Sequence, residues 1–390
     1  GIRKTSNKKK ADLHLLYSLS VVPLALLLVA VLLQIPCFFS VRKSLIVLLF
    51  FRSMLPPKNY FPSPYVRLQN PTNVLTDFWG MFVDPKKRIC LIYLISALLI
   101  GVLWSAIVQK KPIFFTLKNC LSVDIWWSKS ARLDYLLMFL NKIYFLLISN
   151  FWLSSTVVTF FIYEGLHTIL PSGLSVGADK MLVVTLFTVA IFIMDDFTKY
   201  LVHWSLHNIS ILWIFHKVHH SATHLTPFTI FRTHPVEMLL FSARSIIVRS
   251  TMIAVFIFVF GDLVDLYTVL GVNIGLFVFN IIGSNLRHSH VYLKYWDWLE
   301  LWLISPAQHQ IHHSQDSEHH GKNLGVILAI WDRLGGTLFK APSQASLTFG
   351  FGREEYVSAD TIKYAYITSF KEAAAVILRP LKRKVHLTNV

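Results

Sequence analysis

The stretch MLVVTLFTVAIFIMDDFTKYLVHWSLH, residues 181–207, decides what kind of fold this chain adopts. Residues 181–194 contain no charged side chain, whereas the remainder carries Asp196, Tyr200, His203 and His207 at helical spacing. Residues three, four or seven positions apart share one face of an α-helix. We therefore expect an apolar span at 181–194, followed by helical residues that present Asp196, Tyr200, His203 and His207 on one face.

Apolar blocks recur along the whole chain. Of its 390 residues, 54% are hydrophobic and 15% are charged, against roughly 25% charged residues in a soluble domain. About 20 apolar residues in a helix cross a bilayer, so these blocks predict an integral membrane protein with six spans. The predicted spans are 15–39, 89–108, 143–163, 181–194, 246–260 and 266–283. The block at 44–51 is too short to cross and is expected to lie at the membrane interface.

The last four predicted spans pair into two helical hairpins, 143–163 with 181–194 and 246–260 with 266–283. The polar segments 195–245 and 284–345 then emerge on the same side of the membrane. Their Lys and Arg residues place that side, and both chain ends, in the cytoplasm by the positive-inside rule. The net charge of +16 comes from basic residues that flank apolar blocks, which indicates contact with anionic lipid and disfavours nucleic acid as a partner.

The fold class expected is an all-α integral membrane protein, with transmembrane hairpins and a cytoplasmic, histidine-rich helical cap that holds a two-metal site. Residues 1–130 are expected to form an N-terminal membrane region with two spans and no assigned function. Residues 131–345 are expected to form the catalytic membrane domain, and residues 346–390 a cytoplasmic tail.

Histidines are concentrated in the two polar segments. Seventeen occur in the chain and fourteen lie between residues 203 and 320, mostly at spacings of one, three or four residues. Two H-x-x-H-H motifs, 216–220 and 309–313, reach the same membrane face from either side of a hairpin and are expected to enclose two metals. His14, His167 and His386 lie far from the clusters and are expected to be structural, whereas His224 and His320 stand beside better candidates and are expected to be bystanders.

Asp196 precedes His203 by seven residues and shares its helical face. A carboxylate there is expected to accept an imidazole N–H and fix the tautomer of a metal ligand. A simple helix charge is the open alternative.

These residues resemble the fatty acid hydroxylase / sterol desaturase superfamily of membrane di-metal oxygenases. DFTKYLVHWSLH, LWIFHKVHHS and HQIHHSQDSEHHGKNLG are similar to its three histidine boxes, and IWDRLGGT (330–337) to the segment that follows them. FRTHPVE (231–237) is similar to the alkylglycerol monooxygenase-like and bacterial sterol-desaturase-like members. The resemblance covers about residues 180–340. Members often carry Arg directly after the first histidine of the first box, where this chain has Trp204. This departure concerns a polar contact near the site and not the metal ligation.

The resemblance implies two iron ions, with zinc as a substitute in purified protein, and O2 as co-substrate. It implies as metal ligands His203, His207, His216, His219, His220, His288, His309, His312, His313 and His319, with His234 and His290 as second choices.

The function expected is hydroxylation of a C–H bond in a fatty acyl, sterol or alkyl-ether lipid that enters from the bilayer. The sequence shows neither a dinucleotide-binding glycine motif nor a fused haem or flavin domain. A separate electron donor protein of the cytochrome b5, ferredoxin or reductase type is therefore expected. The membrane is the endoplasmic reticulum if the source is eukaryotic, or the inner membrane if it is bacterial.

Desaturation begins with the same hydrogen abstraction and remains an alternative, as does ether cleavage. A divalent-metal transporter is an alternative from another class, but its ligands would lie inside the spans. A bis-histidine haem carrier would need isolated pairs on facing helices. The sequence leaves open the lipid, the carbon attacked, the donor and the oligomeric state.

Overall fold

The computed structural model describes residues 71–148, 154–170, 176–351 and 359–387. The expected span at 15–39, the interfacial block at 44–51 and His14 lie outside the described residues. All described residues fall within one compact unit, 70–390. The expected divisions after residues 130 and 345 both fall inside this unit.

The described residues are mostly helical. The helices are α1 (Pro71–Val83), α2 (Leu91–Ile107), α3 (Ile113–Cys120), α4 (Val123–Trp126), α5 (Lys129–Ile148), α6 (Ser155–Ile169), α7 (Lys180–Asn208), α8 (Ser210–His220), α9 (Pro235–Phe260), α10 (Ile274–Ile281), α11 (Pro306–His312), α12 (Ile330–Gly335) and α13 (Ser369–Leu387), the last preceded by a π-helical turn, Lys363–Thr368. Two short antiparallel strands, β1 (Thr268–Val269) and β2 (Val272–Asn273), pair Thr268 with Asn273.

Among the described residues, two helices are long and apolar enough to cross a membrane, Lys180–Asn208, which is α7, and Pro235–Leu263, which is α9 with the 3₁₀ turn that follows it. The first, α7, has 29 residues and is therefore about 44 Å long. It begins at Asp179, whose side chain accepts a hydrogen bond from the Leu182 amide, and runs unbroken into the histidine-bearing segment. The prediction that Asp196, Tyr200, His203 and His207 share a helix is confirmed, and that helix is continuous with the predicted apolar span.

Two predicted spans are corrected. The block 143–163 is not one helix, because Ser154 has an extended backbone, with φ −66° and ψ 132°, and a new helix begins at Ser155. The block 266–283 contains the β1–β2 hairpin, whose turn holds Leu270 and Gly271 at φ 52° and 73°. Only the eight residues of α10 remain helical, about 12 Å in length, which is too short to cross a bilayer. Apolar composition does not distinguish a helix from a tight hairpin.

A buried guanidinium joins three parts of the chain beneath the cap. Arg232, 0% exposed, lies in the turn before α9 and contacts Asp134 on α5 at 3.1 Å. It also donates from Nε to the Ser221 hydroxyl at the end of α8, at 2.9 Å. A third partner, Asp360, comes from the C-terminal segment at 2.6 Å. A buried Arg needs such partners because an unpaired charge in the interior is costly.

Candidate metal centre

Nine imidazoles gather into two adjacent groups at the end of α7. Within each group, one nitrogen per residue lies within 4.8 Å of all the others. Group A consists of His203, His207, His216, His220 and His312, and group B of His219, His288, His309 and His313. Eight of these side chains are buried and His207 is half-buried. The nine come from four separate segments of the chain.

Helix periodicity explains how the groups form. His203 and His207 stand one turn apart near the end of α7, and Ile209 joins α7 directly to α8. The chain therefore folds back, and Nε2 of His216 lies 3.1 Å from Nε2 of His207. His219, on another face of α8, belongs to group B.

Group B is completed by the loop after α10 and by α11. Nε2 of His288 lies 3.0 Å from Nε2 of His309 and 3.1 Å from Nε2 of His313. Each H-x-x-H-H motif contributes residues to both groups. The rings of His220 and His313 stack across the boundary with centroids 4.6 Å apart, so the groups are direct neighbours.

Backbone carbonyls orient two of the rings. Nδ1 of His203 donates to the Leu324 carbonyl at 2.7 Å, and Nδ1 of His312 to the Lys322 carbonyl at 2.9 Å. With its proton on Nδ1, each neutral ring keeps a free lone pair on Nε2. Asp332 holds the same loop by accepting from the amides of Leu324 and Gly325.

Two charged side chains that were not anticipated from the sequence contact group members. Oε1 of Glu237, in the first turn of α9, lies 3.0 Å from Nδ1 of His216. Arg287 donates from Nη2 to Nδ1 of His309 at 2.8 Å. The sequence shows Glu237 only as an acidic residue in FRTHPVE and Arg287 only as a basic residue beside His288. An acidic residue is as typical of a helix N-terminus as of a metal site, and a basic residue is as typical of a solvated loop.

Burial keeps these imidazoles neutral. It lowers the pKa of His216, His220 and His312 well below the ordinary value and that of His219 to about 3. Neighbouring imidazoles lower these pKa values further, since two positive charges so close repel each other. Neutral imidazole is the form that binds a transition metal.

The donor set fits metal ions. Nε2 of His312 is buried among the group A nitrogens and has no hydrogen-bond partner among the described residues. A buried nitrogen without a partner is costly, and a metal ion would use its lone pair. Nitrogen-rich sites of this kind suit iron, zinc or copper rather than magnesium or calcium.

His319 lies outside both groups, unlike the expectation from the third box. Its ring nitrogens are 3.6 Å from Asp316 and 3.7 Å from Glu318, and the ring packs against Phe339. The short 3₁₀ turn Ser317–His319 directs the ring toward these carboxylates instead of the imidazoles.

The two second choices also lie outside the groups. His234 caps α9, since its Nδ1 accepts from the Val236 amide at 3.1 Å, and its ring packs against Phe215. His290 is exposed and borders an apolar cavity beyond the His288 loop.

The carboxylate of Asp196 accepts its hydrogen bonds from residues 327–331 and not from an imidazole, as was expected. Its Oδ1 accepts from the Ile327 amide, and its Oδ2 from the Leu328 amide and the Trp331 indole, each at 3.0 Å. Asp196 therefore anchors the loop whose Leu324 carbonyl orients His203. Its effect on the site passes through that loop.

A cavity of about 600 Å3 opens onto the centre. Four imidazoles of groups A and B border it, those of His207, His220, His312 and His313, and the ring of His320 borders it as well. His320 was expected to be a bystander, yet it lines the access to both groups. His224 is exposed and contacts Thr223.

Comparison with known proteins supports the resemblance. Residues 188–337 match the fatty acid hydroxylase family. Alkylglycerol monooxygenase of Danio rerio is 27% identical over 180 residues, which cover 44% of this chain and 35% of that protein. The human alkylglycerol monooxygenase is 25% identical over 153 residues, 38% of this chain and 29% of its own.

A bacterial relative matches to a similar extent. The ornithine lipid hydroxylase of Rhizobium tropici is 28% identical over 158 residues, which cover 40% of this chain and 43% of that protein. The chain thus matches less than half the length of each of these relatives. No solved structure matches it significantly.

Proposed function

We propose that this chain, which carries a fatty acid hydroxylase domain at residues 188–337, is a membrane-bound lipid hydroxylase. Groups A and B would each hold one iron ion, and the co-substrate would be O2. The observation that carries the proposal is the pair of adjacent all-imidazole groups, nine buried or half-buried histidines from four segments. Hydroxylation of an unactivated C–H bond requires redox-active metals rather than an acid–base pair.

The residues of the chain would hold and orient the centre. The carbonyls of Leu324 and Lys322 fix two rings with Nε2 inward. The Glu237 carboxyl lies 3.0 Å from Nδ1 of His216, where it would hold the orientation of that ring. When bound, the two metals would supply the oxidising power that removes a hydrogen atom from the lipid.

Substrate would reach the metals through the cavity bordered by His207, His220, His312 and His313. The remaining imidazoles of group B are buried behind it. A single opening would keep bulk water away from the reacting carbon, which limits side reactions.

A membrane location is supported by the two long apolar helices. Met181, Leu182, Leu186 and Val189 on α7 are exposed, as lipid-facing side chains would be. We infer a multi-pass protein with the imidazole groups at the cytoplasmic face, where basic residues accompany them.

The electrons would come from a separate donor protein. The substrate class is a lipid with an acyl or alkyl chain. The matches to alkylglycerol monooxygenases favour an alkyl-ether lipid as the second candidate, since hydroxylation beside an ether oxygen leads to cleavage.

The metal transporter is disfavoured by the site's position. The imidazoles lie at the end of α7, on α8 and α11 and in a loop, rather than in the middle of an apolar helix. A transport site is expected near the bilayer midplane.

The test combines metal content with product analysis. Protein purified from membranes without a histidine tag should contain about two irons per chain, in line with two-metal sites. After incubation with lipids, 18O2 and a reductant, mass spectrometry should find one labelled oxygen in the lipid. A product that has lost two hydrogens and gained no oxygen indicates desaturation, and metal-free folded protein would overturn the proposal.

A further inference from the structure

An apolar cavity of about 230 Å3 lies against the loop that carries His288. About half of its wall comes from residues 94–126, on α2, α3 and α4, which precede the region matched to the fatty acid hydroxylase family, and the rest comes from residues 225–227 and 285–291. Its walls include Leu94, Ala97, Gly101, Cys120, Leu286 and Val291. It is a different space from the cavity that opens onto the imidazoles.

Small residues on α2 keep this cavity open. Ala97 and Gly101 stand one turn apart on its buried face. A Cβ at Gly101 would lie 3.3 Å from Cδ2 of Leu286 and 3.5 Å from Val291. A larger residue at position 101 would therefore displace this wall and occupy the space.

One polar atom in the wall has no partner. Asn285 is 1% exposed, and its Nδ2 donates to the Arg88 carbonyl at 3.0 Å. Its Oδ1 has no hydrogen-bond partner among the described residues. Buried polar atoms in proteins are nearly always satisfied, so a water molecule beside a bound chain is expected to donate to this oxygen.

A second, basic cavity adjoins the first. A space of about 620 Å3 shares Cys120, His290 and Val291 with the first and is lined by Lys110, Lys111 and Lys294. Lys294 pairs with Asp297 at 2.5 Å, whereas Lys110 and Lys111 are exposed.

The basic turn is held in a fixed shape. Trp104 and Gln109 both donate side-chain hydrogen bonds to the Tyr292 carbonyl, at 3.2 and 3.3 Å. Lys110 has φ 54°, a left-handed conformation that a side chain rarely adopts. Strain of this kind is found mostly at functional positions.

We propose that these two cavities bind one single-chain anionic lipid, with its chain in the apolar cavity and its phosphate at Lys110 and Lys111. An apolar cavity of roughly 150 Å3 holds a benzene molecule, so the 230 Å3 here accepts part of one hydrocarbon chain rather than two. Basic pockets at the ends of membrane helices bind anionic headgroups. The site is thus amphipathic in the same sense as its ligand.

Binding is measured by native mass spectrometry on the full chain in detergent. The probes are hexadecyl phosphate, hexadecylphosphocholine and inorganic phosphate. We expect hexadecyl phosphate to bind at least about tenfold more tightly than hexadecylphosphocholine, because the lysines attract its net charge. Millimolar inorganic phosphate should not displace it, and displacement would show a site for free anions and overturn the lipid assignment.

Charge-matched variants locate the headgroup. Lys111→Glu should weaken hexadecyl phosphate about tenfold or more, since it replaces attraction by repulsion. Lys118→Glu makes the same change on an exposed residue of α3 that lines neither cavity and should have no effect. Equal binding by wild type and Lys111→Glu would overturn the proposal.

Gly101→Leu tests the chain site. It should weaken both hexadecyl probes, whereas Gly165→Leu, at a helical glycine with open space around it, should weaken neither. Metal content of the Gly101→Leu protein reports whether it is folded, and unchanged binding by folded protein would contradict the proposal. Because the assay measures binding without turnover, its failure is separate from failure of the proposed hydroxylase activity.

Discussion

Nδ1 of His216 on α8 lies 3.0 Å from Oε1 of Glu237 in the first turn of α9, and both side chains are buried. The contact leaves Nε2 of His216 directed toward His207 and His220. The pair therefore links the start of a long apolar helix to group A.

Glu237→Gln keeps the size of the side chain and replaces its carboxyl group by an amide. We expect metal affinity or activity to fall about 10- to 100-fold, the usual effect of losing a carboxylate behind a metal-binding histidine. Titration with a competing chelator measures the affinity. Glu164→Gln, an exposed acid on α6, is the control, and equal metal affinity in both variants would contradict the role of Glu237.

His219→Ala and His312→Ala each remove one donor, the first from group B and the second from group A. Both variants should lose metal and activity while still inserting into membranes. His224→Ala, an exposed imidazole outside both groups, should keep its full metal content. Elemental analysis of the three purified proteins checks this, and full metal content in both group variants would refute the assignment.

His319→Ala distinguishes the structure from the family resemblance. The resemblance implies a metal ligand, whereas the ring lies beside Asp316 and Glu318. We expect the variant to retain the metal content of the wild type. Loss of one metal per chain would show that His319 rotates into the centre when metal binds.

Asp196→Asn should act on stability more than on metal content. The carboxylate accepts three hydrogen bonds from the 327–331 loop, and the amide provides one acceptor oxygen in place of two. Leaving buried donors unpaired costs about 1–3 kcal/mol. Thermal unfolding against Asp262→Asn, an exposed control, measures the loss, and identical midpoints would exclude the anchoring role.

Long apolar runs made the main helices predictable. Residues 89–108 and 181–194 and the span at 246–260 all lie in or closely overlap helices, because burial of an apolar surface outweighs local propensity over such lengths. The errors fall where composition is equally apolar but the backbone turns. Leu270 and Gly271 form a hairpin, and hydropathy gives no sign of it.

The histidine clusters were predictable because helical spacing fixes which imidazoles share a face. Their division into two groups was not, since it depends on how α8 folds back on α7 and where α11 docks. The hydrogen-bond partners of Nδ1 of His203 and His312 were equally impossible to predict from the sequence. Leu324 and Lys322 contribute carbonyls, which no side-chain pattern encodes, and Asp196 turned toward a loop more than 120 residues away.

The positions of the Arg232 partners along the chain also determine when, during synthesis, this buried ion-pair network can be completed. One of its carboxylates, Asp360, emerges from the ribosome long after the first histidines and after the last member of the two groups, His313. Until then the guanidinium beneath α8 has one of its two carboxylates, Asp134, and still lacks the second. The anchorage of the helix that bears His216, His219 and His220 is therefore completed only after all nine imidazoles of the two groups have been synthesised.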